Sequence, residues 1–281
     1  MNPLNADLHS HSTVSDGLLA PAAVVRRAAA NGVELLALTD HDEVGGIAEA
    51  RAAAADSSLQ LVAGAEVSVS WGDDHTVHVV ALGFDSDRGH LAESLARVRA
   101  GRDARARRMA EELDRVGIHG AYEGALRYAA GNPALIGRSH FARYIVELGH
   151  AKEVKAVFDW WLAKGKPGYV RHPWASMAEA LGWIAASGGI AVLAHPGRYR
   201  LSRAEMEALL GEFEDLGGVG IEVLSGSHGD DQVRDFAQAA RRYGFLASRG
   251  SDFHGPGESW VDLGRLPALP PDLLPVWTRL I

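Results

Sequence analysis

Short apolar runs alternate along the chain with alanine-rich amphipathic segments. The runs at residues 6–9, 35–39, 60–66, 77–84, 190–195, 219–224 and 245–250 predict seven strands. Between them lie helical patterns such as 21–31, closed by Gly32, and 175–187, closed by Gly188 and Gly189. Near-continuous apolar strands, each followed by a helix, read as a parallel sheet covered by helices, an α/β fold. Seven of them suggest a distorted (β/α)7 barrel related to the eight-stranded one. An open doubly wound sheet is the alternative.

One stretch breaks the rhythm. Residues 99–168 read as almost entirely helical, over 99–115, 122–130, 140–148 and 151–162. They hold 13 Lys+Arg and 8 Asp+Glu, a net of +5, which leaves −13 of the total −8 on the rest. Such a reversal marks a helical, basic insertion into a barrel made of residues 1–98 and 169–281. The plainer alternative is a solvated helical face.

Composition adds exclusions. With 47% apolar and 23% charged residues in 281, the chain is globular rather than disordered. No run approaches the ~18 apolar residues of a membrane span. The residues from Met1 to Asp7 carry no secretory pattern, so a cytoplasmic location is expected. The charge of −8 argues against a binder of long duplex nucleic acid. The absence of cysteine removes disulfides, thiolate metal sites and a thiol nucleophile, while 13 histidines direct attention to imidazole and carboxylate.

Those groups sit at the strand ends. The first strand runs into Asp7-Leu-His9-Ser-His11, where residues two apart share a face, and Asp16 follows in a turn marked by Gly17. The second ends in Asp40-His41-Asp42, the third in Glu66, the fifth in His195-Pro-Gly, and the seventh leads to Asp252-Phe-His254. The fourth contains His78, preferred to His75, which follows Gly72-Asp-Asp74 in an expected turn. A lone His-x-His is weak evidence, and Asp-His pairs at turns are common caps. The joint pattern over six strands is stronger, because buried unpaired ionisable groups cost several kcal/mol unless a metal takes them up. In a parallel barrel these strand ends meet on the face where active sites lie.

The order Asp-x-His-x-His, Thr-Asp-His, Glu, His, His-Pro, Ser-Asp-x-His resembles the PHP (polymerase and histidinol phosphatase) domain over essentially the whole chain. The segments Gly137-Arg-Ser-His-Phe-Ala-Arg143, Lys166-Pro-Gly-Tyr-Val170, His195-Pro-Gly-Arg-Tyr199, Ser225-Gly-Ser-His228 and Ser251-Asp-Phe-His254 are similar to the branch of bacterial 3′,5′-nucleoside bisphosphate phosphatases. Relatives in that branch degrade short RNA from the 5′ end. The resemblance implies three metal ions. His9, His11 and Asp252 would hold the first, and Glu66 would bridge it to a second held by His78 and His195. Asp16, His41 and His254 would hold the third; many PHP proteins have histidine where this chain has Asp16. Manganese is the expected metal, with iron or zinc admitted by nitrogen and oxygen donors. A hydroxide bridging two ions at Glu66 would be the nucleophile, with the third ion neutralising phosphate oxygens. Asp40 and Asp42 could orient the imidazoles or serve only as turn residues.

Further cations could read a second phosphate: Arg138, Ser139, His140 and Arg143 in the insertion, Lys166 and His172 at its exit, Arg198 after the fifth strand and His228 after the sixth. Local ion pairing is the alternative for Arg138 and Arg143. Trp160, Trp161 and Trp174 could stack on a base, or pack in a core. The insertion is thus expected to act as a substrate cap. The expected reaction is hydrolysis of the 3′-phosphate of a 3′,5′-bisphosphonucleoside, a small nucleotide. The alternatives are a 5′–3′ exoribonuclease on short oligonucleotides, a histidinol phosphatase and a non-catalytic module attached to a polymerase.

Overall fold

The computed structural model describes residues 4–72, 75–86 and 89–281. The turn expected at 72–74 and the first three residues of the N-terminus therefore lie outside the description, Gly72 excepted. The chain divides into two compact units, one of residues 1–95 with 174–281 and one of residues 96–173.

The first unit is built on strands β1 (Ala6–Asp7), β2 (Leu35–Leu38), β3 (Gln60–Trp71), β4 (His75–Leu82), β5 (Ala175–Ser176), β6 (Ile190–Leu193), β7 (Gly220–Ser225) and β8 (Leu246–Gly250). Seven follow the order β1-β2-β3-β4-β6-β7-β8, and β5 pairs with β3 off that path. The path nearly closes into a barrel, because Leu8 N–H donates to Arg249 O at 3.0 Å and His11 N–H to Phe253 O at 2.8 Å. That closure requires a glycine: a Cβ on Gly250 would lie 2.2 Å from the Cβ of His9.

The expectation of an all-parallel sheet is corrected at β4, which runs antiparallel to both β3 and β6. Only residues 72–74 separate β3 from β4, whereas a parallel crossover needs about a dozen residues or more. The remaining pairs are parallel. The strands are apolar on both faces because both are covered. Leu35 and Ala37 join Val62, Val80, Leu82, Val192 and Leu246 in one core cluster. Leu36 and Leu38 face the other way, packing with Val24, Val25 and Ala28 of α1 (Pro21–Ala30) and Ala50 and Ala54 of α2 (Ile47–Ala54).

Among the later helices, α3 (His90–Arg99) ends where the sequence pattern placed the start of a long helix, and α4 (Arg102–Asp114) begins after a break. Gly101 occupies that break with the His172 ring against it, leaving no room for a side chain. The second unit continues with α5 (Ala121–Tyr128), α6 (Arg138–Glu147) and α7 (Val154–Val157), which widens into a π turn over Phe158–Leu162. It has its own core of Met109, Leu113, Ile118, Phe141, Ile145, Val157 and Leu162. Back in the first unit, α8 (Met177–Ala186) starts two residues later than the pattern suggests. Ser176 caps it, its hydroxyl accepting from Glu179 N–H at 3.3 Å while Glu179 accepts from Ser176 N–H at 2.9 Å. Helices α9 (Arg203–Asp215) and α10 (Asp230–Tyr243) lead to β7 and β8. Among the described residues no helix is long and apolar enough to cross a membrane.

Candidate metal centre

The parallel strands deliver their ligand candidates just beyond their C-terminal ends: His9 and His11 after β1, His41 after β2, His195 after β6, and Asp252 and His254 after β8. Glu66 arrives differently, from the middle of β3, beside His41 in an isolated parallel bridge. The antiparallel direction of β4 accounts for His78. An antiparallel strand brings its first residues to the end where its neighbours bring their last, and His78 pairs with Ser68 there.

These side chains converge on Glu66, which is fully buried. Its Oε2 lies 3.2 Å from His9 Nε2, 3.3 Å from His11 Nε2 and 3.0 Å from His41 Nδ1. Its Oε1 lies 2.8 Å from both His78 Nδ1 and His195 Nε2. Asp252 Oδ1 completes one corner, 3.2 Å from His11 Nε2 and 3.5 Å from His9 Nε2. Asp16 gathers the rest, with His254 at 3.4 Å, His11 Nδ1 at 3.8 Å and His41 Nε2 at 3.9 Å. Among the described residues, three sets have metal-site spacing: His9, His11, Glu66 and Asp252; His41, Glu66 and His78; and His11, Asp16, His41 and His254. His11 and His41 thus each serve two sets, where the sequence placed each with one. His78 takes the position for which His75 was the rival, and His75 faces Glu205 at 3.9 Å.

The donor set suits divalent cations. His9 Nε2, both nitrogens of His11, His41 Nδ1, Glu66 Oε2 and Asp252 Oδ1 are buried and make no hydrogen bond of acceptable geometry. Buried polar atoms are seldom left so. Four-coordinate ligand atoms at ~2.1 Å from an ion stand ~3.4 Å apart, and the first set shows separations of 3.2, 3.3, 3.2 and 3.5 Å. The charges agree. Burial would raise the carboxyls of Glu66, Asp16 and Asp252, but the surrounding imidazoles hold all three well below the usual range. Burial lowers His11, yet the nearby Asp252 and Glu66 carboxylates lift it to about 10. His78 is pushed down to about 4 by burial, so it is neutral and able to donate a lone pair.

Backbone strain concentrates here. Asp42, His195 and Asp252 adopt φ of 51°, 25° and 54°, and Ala130 is the remaining non-glycine residue with positive φ among those described. Such conformations cluster where the surroundings enforce them, and functional sites are where they persist.

The supporting polar residues differ in part from expectation. Asp40 accepts from Ser12 N–H and Oγ–H at 2.7 Å each and from Ser15 Oγ–H at 2.6 Å, which fixes the turn after His11. Asp42 accepts from Ser68 N–H at 2.7 Å and its hydroxyl at 2.9 Å. The carboxylate on an imidazole is Glu222, 2.7 Å from His9 Nδ1. Asp7 accepts from Ser251 N–H at 2.8 Å and anchors the approach to Asp252. The sequence offered a signal for Glu222: an acid inside the apolar run 219–224 raises the same burial objection that singled out the other ligands.

The expected phosphate readers are dispersed. Arg198 is half-exposed, with a guanidinium nitrogen 2.5 Å from Asp252 Oδ2. His228 is occupied by the fold: its Nδ1 lies 3.1 Å from Val223 O, and its Nε2 accepts from Gly197 N–H at 3.2 Å. In the helical unit, Arg138 and Ser139 open α6, His140 and Arg143 are buried on it, and Lys166 is exposed. The Arg138 guanidinium lies 5.6 Å from the Phe158 ring centre. His172 is pushed down to about 4 by burial and by Arg105, Arg102 and Arg108. Arg102 and Arg105, buried on α4, were not singled out from sequence. Arg105 is lowered to about 9 by burial, Arg138 and Arg102. Trp160 is exposed, and Trp161 joins the helical core.

Comparison with known proteins gives a consistent result. The PHP domain profile matches residues 7–226. The chain is 51% identical over 276 residues to a 3′,5′-nucleoside bisphosphate phosphatase of Chromobacterium violaceum, covering 98% of this chain and 96% of that one. It is 42% identical over 273 residues to the 5′-3′ exoribonuclease Rnm of Salmonella typhimurium, covering 96% and 92%. A solved structure of an amidohydrolase from Chromobacterium violaceum, with bound sulfate and no metal, superposes with a TM-score of 0.94 at 51% identity over 98% of this chain and 95% of that one. Histidine and carboxylate clusters at the barrel rim and these relationships lead to one conclusion: the chain belongs to the PHP domain family, as a metal-dependent phosphoesterase.

Proposed function

We propose that this phosphoesterase hydrolyses the 3′-phosphate of 3′,5′-bisphosphonucleosides, converting adenosine 3′,5′-bisphosphate to AMP and inorganic phosphate. The observation that carries the reading is the convergence of nine side chains on and around Glu66: Glu66 itself, His9, His11, Asp16, His41, His78, His195, Asp252 and His254. The bisphosphate phosphatase at 51% identity supports the choice of substrate. We assign three divalent ions, manganese first, to the set around Asp252, to that of His41, Glu66 and His78 with His195 joining through its contact with Glu66, and to the set around Asp16. When bound, such ions activate water at neutral pH and neutralise charge on the phosphoryl oxygens. The chain's own residues do the remainder. Glu66 spans two of the sets, neutral His78 donates without releasing a proton, and Arg198 offers a cation at the rim.

Residues 99–168 are proposed to select substrates by their second phosphate, through Arg138 and Arg143 with Ser139, His140, Lys166 and His172. The net +5 of this segment supports that role. A second reading, removal of nucleotides from short RNA, is favoured by the 42% identity to the exoribonuclease. The two are compatible, because a 3′-phosphodiester is a 3′-phosphomonoester carrying a further nucleotide. Rates on adenosine 3′,5′-bisphosphate, a short 5′-phosphorylated RNA and histidinol phosphate test the order. The bisphosphate should have the highest kcat/KM. A higher value for RNA would reverse the two readings, and one for histidinol phosphate would refute both.

A further inference from the structure

Strand β7 is buried along its whole length, and its third residue is an acid, Glu222, 1% exposed. Both carboxylate oxygens are engaged. Oε1 lies 2.7 Å from His9 Nδ1, and Oε2 accepts the backbone N–H of His195 at 2.6 Å. Both histidines present their Nε2 atoms to the other carboxylate, His9 Nε2 lying 3.2 Å from Glu66 Oε2 and His195 Nε2 2.8 Å from Glu66 Oε1. Glu222 and Glu66 therefore grip the same two histidines from opposite sides. The β7–β8 pairing shifts register between Glu222 and Leu224, the kind of irregularity that re-aims a side chain.

We propose that Glu222 is a positioning residue that sets two of the metal sites at once. It fixes the His9 tautomer, and it holds the backbone from which His195 reaches the second site. The first effect follows from the chemistry of the pair. A carboxylate only accepts, so Nδ1 of His9 must carry the proton, and the lone pair needed by an ion is left on Nε2. The second follows from the backbone. His195 sits at φ 25° and ψ 56°, a costly conformation for a residue with a Cβ. The short bond from its N–H to Glu222 is one of the contacts that enforce it. Two donors thus converge on one side chain, from residues far apart in the sequence.

Glutamine is the informative replacement, because it has the same shape but one acceptor and one donor. If its oxygen stays on the His195 N–H, its amide N–H₂ faces His9 Nδ1 and drives the proton to Nε2. If it turns over, N–H₂ meets the His195 N–H and the strained turn loses its partner. Aspartate keeps two acceptors on a shorter arm and should recover part of the function.

This inference rests on His9 and His195 being ligands, so the experiment includes His9→Ala. Manganese binding is measured on metal-stripped full-length protein by the free-ion resonance signal, for the native chain, Glu222→Gln, Glu222→Asp and His9→Ala. The His9 ring is followed by imidazole ¹⁵N spectra of zinc-loaded protein. His9→Ala should lose at least one ion. Glu222→Gln should weaken manganese binding by about 10–100-fold and remove the Nδ1–H signal of His9, and Glu222→Asp should be intermediate in affinity and retain that signal. Native affinity in Glu222→Gln with the Nδ1–H signal unchanged, while His9→Ala loses its ion, would overturn the positioning role alone. Full metal content in His9→Ala would overturn the ligand assignment, and this inference with it.

Discussion

At the barrel rim, buried ionisable groups are mixed in sign, with imidazoles facing Glu66, Asp16 and Asp252 across 2.8–3.9 Å. In the helical unit, buried cations act on one another. Burial, Arg138 and Arg102 hold Arg105 down to about 9, and burial, Arg105, Arg102 and Arg108 hold His172 at about 4. The two patterns suit opposite guests. A cluster of carboxylates and imidazoles admits a divalent cation in place of imidazole protons, and a cluster of guanidinium groups is stabilised by adding negative charge. In the proposed function, metal ions belong to one unit and the second phosphate to the other.

The comparison breaks most severely at Glu66. Glu66→Gln should remove the oxygen shared between sets and reduce turnover by more than the ~10–100-fold typical of an outer partner. Elemental analysis should show ion loss, while unchanged metal content with full turnover would refute a shared ligand. Asp16→Ala is a smaller intervention. It should cost one ion and part of the rate while leaving the ions around Glu66, because Asp16 faces His11, His41 and His254 while no ion pair of Glu66 among the described residues involves it. Loss of every ion on elemental analysis would mean that the sites are not separable.

The helical unit should betray its cation crowding as a pH effect, the smallest of the set. His172 stays neutral in the fold down to about pH 4, whereas in the unfolded chain it takes a proton near 6.5. As pH falls between these values the unfolded state gains a proton that the fold refuses, so stability declines; above 6.5 the group has no effect. Thermal melts of His172→Gln should show a shallower decline from pH 6.5 to 4 than the native chain. Parallel curves would show that the imidazole is not held neutral.

The legibility of the two regions in sequence also differs. The residues that cluster around Glu66 could be picked out because histidine and acid at the ends of apolar strands violate the burial rule unless an ion is present. The barrel followed from the same runs. The direction of β4 did not: it is fixed by a connection of three residues whose meaning emerges only once Trp71 and His75 are known to be strand ends. Glu222 lies inside an apolar run, as His78 does, but nothing in the linear order ties it to His9 or His195, which it meets only in the fold. In the helical unit, Arg143 was identified by its segment, while Arg102 and Arg105 were hidden among other arginines of an amphipathic helix. Nothing in helical periodicity separates a buried guanidinium from a solvated one, since long side chains cover apolar surface either way.

The division of labour is tested most directly by kcat/KM of Arg143→Ala on adenosine 3′,5′-bisphosphate and on a simple phosphomonoester. A desolvated arginine–phosphate contact is worth ~1.5–3 kcal/mol, so the bisphosphate should suffer about a ten- to hundredfold loss and the monoester almost none. Equal slowing of both substrates would contradict the account, because it would tie Arg143 to the chemistry or the fold rather than to the second phosphate.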